Sequence, residues 1–397
     1  MARLKIAYLC DISPEHVHPY SGGNARIFNA LSARADLTVL PQNWGRAEPV
    51  RRAIYRMSDA AQLRLRWRAH LALARIIAAP LNRQLASDRY DAVFCAYSFQ
   101  SMSRLAAGKR PHGEEPHPGR PLLVFTSDAT PTVYKRSEIG QSFGSSWVAR
   151  TLLDPLTLRA ERRIFNTLDL MLCPSAWLKR EAETLYNLAP GTAHVLPWGA
   201  NVDDPGPQPV PPPPGPDAPL HLLVIGRDWF AKGGPLAFDT MQNLRARGLD
   251  ARLTVIGTTP PEFHINEHVT VLGHLDKSNP DEAARFHAAL AQAHFLVQPS
   301  FESYGFAFCE AAAHGLPSLC LDIGGVPVSE GVTGHPLPAG SGPGDFADVV
   351  MRHVADPAGY ARLRAAARDA FETTLNWEAW ASRTIELIEA RLSRNTA

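Results

Sequence analysis

The stretch PSFESYGFAFCEAAAHGLP, residues 299–317, decides how the rest of the chain is read. It follows a short apolar run, His294, Phe295, Leu296 and Val297, which reads as a buried strand. The strand leads into a loop carrying Glu302, turns at Gly305 and continues as an alanine-rich helix carrying Glu310. Strand, loop and helix entrance are where open α/β sheets hold ligands. The eight-residue interval would leave two side chains on one helix roughly 80° apart. Glu302 is therefore placed before the helix and Glu310 in its first turns. A helical side chain leans toward the N-terminus, which brings both carboxylates to one crevice. The backbone N–H groups of Gly305, Phe306 and Ala307 open into the same space and favour an anion there, and Gly305 permits close approach of a ligand. The spacing alone fits a solvated loop glutamate and a helix-surface glutamate equally well, so a second cluster has to carry the argument.

That cluster lies about 75 residues upstream, after an apolar strand at 220–225. It reads Gly226, Arg227, Asp228, Trp229, Phe230, Ala231, Lys232, Gly233, Gly234. Arg227 closes a buried strand and Lys232 precedes a helix, so two cations border the crevice toward which Glu302 and Glu310 point. Arginine offers a fork for phosphate oxygens and lysine a mobile point charge, the combination a diphosphate needs.

The surrounding alternation of apolar runs and helical segments continues in both directions. Strands are expected at 4–10, 37–40, 92–95, 122–126, 168–173 and 194–196, then at 220–225, 252–256, 269–272, 294–297 and 318–321, with helices between. This pattern predicts two doubly wound parallel sheets. After the first strand, Ser21, Gly22 and Gly23 open a helix and can bring N–H groups to a phosphate or a sugar hydroxyl, or can simply form a tight turn. Apolar residues at helical spacing from Leu63 to Leu85, interspersed with Arg64, Arg66, Arg68 and Arg75, predict one helix with a basic face. Nine prolines in residues 205–219 predict a semi-rigid spacer. The domains are accordingly read as 1–204, the spacer at 205–219, 220–375, and a final helix at 376–397 that packs back on the body through Trp377, Trp380, Ile385 and Ile388.

Composition agrees with this organisation. A chain of 397 residues, 45% apolar and 20% charged, exceeds one ordinary core and is not disordered. Its longest apolar stretches are broken by Arg68, Arg75 or Asp11, so no membrane span is expected, and the opening MARLKIAYLCD reads as a first strand rather than a signal peptide. Five scattered cysteines with no CxxC pair fit a reduced, cytoplasmic protein and core packing. The near-neutral net charge hides an asymmetry: residues 1–204 hold 26 Lys and Arg against 18 Asp and Glu, a net +8, and residues 205–397 carry −7. A basic half suits an anionic partner such as a lipid surface or a phosphate-bearing acceptor; no nucleic-acid partner is expected.

Taken jointly, the GR(x)4KG segment at 226–233, the E(x)7E segment at 302–310 followed by EAAAHGLP, GGVP at 324–327, PWGANVD at 197–203 and NWEAW at 376–380 resemble the family-4 retaining glycosyltransferases of the GT-B fold. The resemblance covers nearly the whole chain. It implies two Rossmann-like domains facing across a cleft, with a nucleotide-diphosphate sugar held by the second and a glycan, lipid-linked or small-molecule acceptor held mainly by the first. Arg227 and Lys232 would hold the donor diphosphate, Glu310 the ribose hydroxyls, Glu302 the transferred sugar, and the amides at Gly305, Phe306 and Ala307 its hydroxyls or the distal phosphate. Many relatives carry a histidine near the sugar where this chain has Thr126, Ser127, Asp128 and Ala129; Asp128 takes that place. With no Asp-x-Asp in the sequence, metal-independent turnover with no cofactor is expected. Peripheral attachment to the cytoplasmic membrane face through the basic half is a further expectation. The competing readings are a nucleotide-sugar epimerase, an inactive sugar-nucleotide-binding scaffold, and a dinucleotide oxidoreductase, the last lacking any GxGxxG turn between strand and helix.

Overall fold

The computed structural model describes residues 3–16, 19–40, 44–105, 120–142, 153–212 and 218–396. Contacts divide the chain into two units. Met1–Tyr134, Ala149–Leu196 and Trp377–Ala397 form the first, and Lys135–Val148 with Pro197–Asn376 the second.

The first unit holds a parallel sheet of β1 (Lys5–Leu9), β2 (Asp36–Leu40), β3 (Ala92–Ala96), β4 (Leu122–Thr126), β5 (Leu170–Cys173) and β6 (Ala193–Val195), in the order β2-β1-β3-β4-β5-β6. Every residue of β3, β4 and β5 is buried, as strands covered on both faces must be. The helix α1 (Gly23–Ser32) leaves β1 through a turn that Asn24 fixes. Buried Asn24 accepts the Tyr8 hydroxyl at 2.8 Å and donates to the Ile12 carbonyl at 3.1 Å. The basic segment differs from the single helix expected. After α2 (Glu48–Tyr55), it is split into α3 (Asp59–Ala72) and α4 (Ala74–Ser87), with a break at Leu73 and Pro80 inside α4. Ile77, Ala78 and Leu81 keep the apolar spacing beyond the break, so periodicity alone does not reveal it.

The short helices α5 (Pro131–Arg136) and α6 (Glu138–Ser142) precede α7 (Asp154–Phe165) and α8 (Ala176–Tyr186). The segment bearing α6 belongs to the second unit, where Ile139 is buried beside Gly324.

The second sheet consists of β7 (Leu220–Ile225), β8 (Ala251–Ile256), β9 (Val269–Gly273), β10 (Phe295–Val297), β11 (Ser318–Leu321) and β12 (Gly334–Leu337), also parallel, in the order β12-β11-β10-β7-β8-β9. Renumbered from its own first strand this is the order 6-5-4-1-2-3, the dinucleotide-fold arrangement, whose direction reverses between β7 and β10. The strand β12 has no clear sequence signal because Gly334 and Pro336 interrupt it; as an edge strand it tolerates both. The helices are α9 (Gly234–Ala246), α10 (Pro280–Gln292), α11 (Phe306–Ala313), α12 (Pro343–Ala355) and α13 (Pro357–Thr373). All but α11 carry a proline at one of their first two positions, where a missing N–H costs nothing.

Two boundaries differ from the sequence expectation. The first unit yields to the second after Leu196, not after 204, so the proline-rich stretch lies within the second unit. There the Pro212 carbonyl lies 2.9 Å from His294 Nε2, which donates to it, while His294 Nδ1 accepts the His221 N–H at 3.1 Å. The last helix, α14 (Trp377–Thr396), belongs to the first unit. Its Trp380 is 1% exposed and edges onto Phe94 of β3 at 6.0 Å, and Glu378 pairs with Arg34 at 3.0 Å. Among the described residues no helix is long and apolar enough to cross a membrane.

Candidate active site

The reversal between β7 and β10 opens a crevice at the carboxyl ends of these strands, and the two predicted motifs are the loops that leave them. The first loop is tied down at both ends. The Gly226 N–H donates to the Ile256 carbonyl of β8 at 2.9 Å, and Asp228 Oδ1 accepts the Ala231 N–H at 2.8 Å. Trp229 is buried and donates Nε1–H to His264 Nδ1 at 2.9 Å. Two glycines follow from contact geometry. A side chain at Gly226 would collide with the Lys232 stem, and one at Gly233, where φ is +73°, would strike the Pro299 carbonyl at the end of the neighbouring strand. The glycines thus let the lysine fold back across its own loop.

Lys232 Nζ reaches the Glu302 carboxylate and forms an ion pair with it. The Ser300 hydroxyl donates to the same oxygen at 3.0 Å. The Glu302 backbone is fixed as well: its carbonyl accepts the Gly325 N–H at 3.1 Å, joining the GGVP loop to the site. At Gly305, φ is +94°, and α11 begins there with no side-chain cap from that residue.

Glu310, in the second turn of α11, is 4% exposed. It meets Lys277, whose ammonium lies 2.5 Å from Oε1. The four charged groups foreseen in the sequence therefore divide: Lys232 and Glu302 pair directly, Glu310 pairs with a lysine that was not foreseen, and Arg227 is exposed. Arg227 makes no ion pair among the described residues. Arg227, exposed beside Asp228, keeps its guanidinium open to solvent, where an anionic ligand can reach it. Lys277 was legible in principle, since it follows β9 at the same carboxyl edge of the parallel sheet.

A brace from residues 197–204 supports α11 at both ends. Trp198 stacks on Phe306 with ring centroids 5.7 Å apart and 11° between planes, and the Tyr304 hydroxyl donates to the Trp198 carbonyl at 2.7 Å. At the far end Arg368 donates to the Ala313 carbonyl at 2.6 Å and bidentately to Asp204 at 2.7 and 3.0 Å. The Arg368 guanidinium holds the Asp204 carboxyl below the ordinary carboxylate range. His314, the helix-end residue, is buried; its Nδ1 donates to the Glu310 carbonyl at 3.0 Å and its Nε2 accepts from His287 Nδ1 at 3.0 Å. Because a carbonyl only accepts, these bonds fix His314 as the Nδ1–H tautomer.

In the first unit, Ser21, Gly22 and Gly23 form the turn after β1, with positive φ at Ser21 (54°) and Gly22 (84°). Asp128 is half-buried after β4, where the Ser127 hydroxyl donates to the Ala129 carbonyl at 2.7 Å. Both segments stand at the carboxyl edge of the first sheet, the edge where such sheets bind ligands. Burial pushes the Cys10, Cys173 and Cys309 thiols up to about 12, which makes them packing residues rather than thiolate nucleophiles. Among the described residues no three His, Cys, Asp or Glu side chains are placed to hold one metal ion.

A pair of parallel doubly wound sheets, with cations, carboxylates and a helix entrance at the switch point of the second, defines a GT-B glycosyltransferase. Two family models match, one described as Glycosyltransferase Family 4 over residues 25–204 and one as Glycosyl transferases group 1 over residues 219–356. The chain belongs to glycosyltransferase family 4. Solved structures agree in fold: sucrose-phosphate synthase from Thermosynechococcus elongatus has a TM-score of 0.66 at 18% identity, covering 99% of this chain and 100% of that one. Anabaena HepE in complex with UDP has a TM-score of 0.63 at 13% identity, covering 98% and 100%. Among curated proteins, a D-inositol 3-phosphate glycosyltransferase of Streptomyces avermitilis is 41% identical over 101 residues, which is 24% of this chain and 21% of the relative. Its Mycobacterium bovis counterpart is 37% identical over 123 residues, 30% and 24% of the two chains. The chain thus spans about a fifth to a quarter of the length of the curated relatives it matches.

Proposed function

We propose that this chain moves a hexose, with retention of configuration, from a nucleotide-diphosphate sugar to a hydroxyl of a glycan, lipid-linked or small-molecule acceptor, without a metal ion. The observation that carries the proposal is the Lys232–Glu302 pair at the β7/β10 switch point, beside exposed Arg227 and the start of α11 at Gly305. Breaking the bond between sugar and diphosphate leaves negative charge on the phosphate and positive character on the sugar ring. Arg227, Lys232 and the amides of Gly305, Phe306 and Ala307 stabilise the first, and Glu302 orients the sugar. Lys232 and Glu302 are held in place before reaction by their ion pair and by the Ser300 hydroxyl, so the stabilisation they give needs little reorganisation at the transition state. With the cations supplying the counter-charge, the departing phosphate takes the acceptor proton as the hydroxyl attacks the face it leaves. Asp128 acts near the transferred sugar, and the turn at Ser21, Gly22 and Gly23 serves the acceptor. The net +8 of residues 1–204 suits an acceptor that bears phosphate, the chemistry named for the inositol-phosphate relatives.

The test is a titration with UDP, GDP and ADP sugars followed by transfer assays in EDTA. Glu310→Ala is expected to weaken donor binding about tenfold, the worth of a hydrogen bond to a charged group, and Glu302→Ala to slow transfer with donor affinity nearly unchanged. Wild-type activity abolished by EDTA and restored by manganese would overturn the metal-free mechanism. Donor binding with no transfer to any acceptor would favour the scaffold reading, and a change in the donor sugar without an acceptor would favour an epimerase.

A peripheral membrane contact is a second part of the proposal. Val50 (43% exposed), Met57 (45%) and Ile76 (43%) project from or beside α2 and α4, among exposed Arg52, Arg56 and Arg75. Apolar tips among cations suit an anionic interface. Co-sedimentation with vesicles containing phosphatidylglycerol is expected to fall as salt rises; equal recovery with purely zwitterionic vesicles would remove this part.

A further inference from the structure

The loop from β9 to α10 is built to aim one lysine. Asp276 Oδ1 accepts both the Ser278 N–H, at 2.9 Å, and the Ser278 hydroxyl, at 2.8 Å. The Asp276 carbonyl accepts the Asn279 N–H at 2.9 Å, and the Asp276 N–H donates to Glu282 Oε2 at 2.6 Å. Asn279 then caps α10. Lys277 lies inside this cage of bonds, and its ammonium passes 5.2 Å from the centre of the Phe286 ring before reaching Glu310 Oε1. Hydrogen bonds at Asp276, Ser278 and Asn279 fix the loop on both sides of the lysine, so the ordering cost left for the pair is that of the lysine side chain.

Glu310 needs such a partner. Its side chain is 5% exposed, and its helix neighbours Phe308, Cys309, Ala311, Ala312 and Ala313 are buried. A carboxylate in that setting is costly without a counter-ion. An ionised carboxylate offers two oxygens and about four lone-pair directions. With Oε1 taken by Lys277, Oε2 is left for outside donors, and the vicinal hydroxyls of a ribose supply two.

We propose that Lys277 is a positioning residue that fixes the Glu310 carboxylate in the orientation that distinguishes ribose from deoxyribose in the nucleotide. The inference rests on the donor-site reading above and adds to it the group that sets sugar discrimination. It differs from a purely structural role in one respect. A structural lysine would change stability without changing the ratio of ribonucleotide to deoxyribonucleotide affinity.

Calorimetric titration of the full chain with UDP, GDP and ADP identifies the bound nucleotide, and its 2′-deoxy counterpart is titrated next. The wild type is expected to prefer the ribonucleotide by roughly tenfold or more, as expected for a hydrogen bond to a charged acceptor. Lys277→Met should weaken ribonucleotide binding about tenfold while leaving the deoxynucleotide within about threefold, and Lys277→Arg should restore most of the preference. Lys277→Gln, measured in the same way, provides a second neutral side chain should the methionine variant fold poorly. A wild-type ratio in Lys277→Met or Lys277→Gln overturns the proposal while the donor site stands. A wild type that binds without regard to the 2′-hydroxyl overturns this inference while the donor site stands, and one that binds none of the three nucleotides overturns the donor-site reading and this inference together.

Discussion

Replacing Lys232 by alanine is expected to lower kcat/KM by about 10² to 10³, the loss of about 2.7–4 kcal/mol that follows removal of one preorganised group from a developing charge. The argument comes from the loop. Gly226 leaves room for the lysine stem, Gly233 seats the chain against Pro299, and the ammonium is delivered to Glu302. The substitution removes a cation from the leaving group and also leaves Glu302, 14% exposed, without its counter-charge. The two effects separate in a double-mutant cycle. Lys232→Ala, Glu302→Gln and the double variant should be strongly non-additive, since both residues act on one bond and on each other. Additive losses would mean that Lys232 and Glu302 act independently of each other.

The second large effect is on stability in acid. Burial lowers the pKa of His70 in the first unit and of His314 in the second from 6.5 to about 4. A histidine whose folded pKa is depressed is held neutral by the fold. Its contribution is complete above the unfolded value near 6.5 and is lost as pH falls toward the folded value, because the unfolded chain takes up the proton first. Each shift corresponds to about 3 kcal/mol, to order of magnitude. For His314 the cause is visible: protonating Nε2 removes the acceptor that His287 uses beneath Glu310. Urea unfolding between pH 7 and pH 5 should therefore show a steep loss of stability in the wild type. His314→Gln should start lower and have a shallower slope, and the same slope in both proteins would refute the assignment.

The parts of this molecule that sequence reveals are those governed by period and by strand ends. Apolar runs mark eleven of the twelve strands, and the missed one, β12, carries Gly334 and Pro336. The glutamate pair and the Gly-Arg loop are legible because parallel sheets bind ligands at the carboxyl ends of their strands, where both motifs fall. The pairing pattern is not legible in the same way. Whether Lys232 meets Glu302 or Glu310 depends on how a lysine stem crosses a glycine. That Lys277 takes the remaining carboxylate depends on an Asx turn some thirty residues before it in the chain. The break at Leu73 escapes because the apolar stripe continues through it, and Trp198 escapes because its role is to stack on Phe306, a contact between distant residues with no periodic signature.

The chain passes from one unit to the other four times, after Tyr134, Val148, Leu196 and Asn376. Chimaeras assembled from relatives by joining halves at the proline run would therefore pair a first unit from one parent with a closing helix from the other. Trp380 would then face a foreign Phe94 equivalent, and the seam would lie in the hydrophobic core rather than in a tether. Shuffling that respects the architecture must carry Trp377–Ala397 along with the amino-terminal parent.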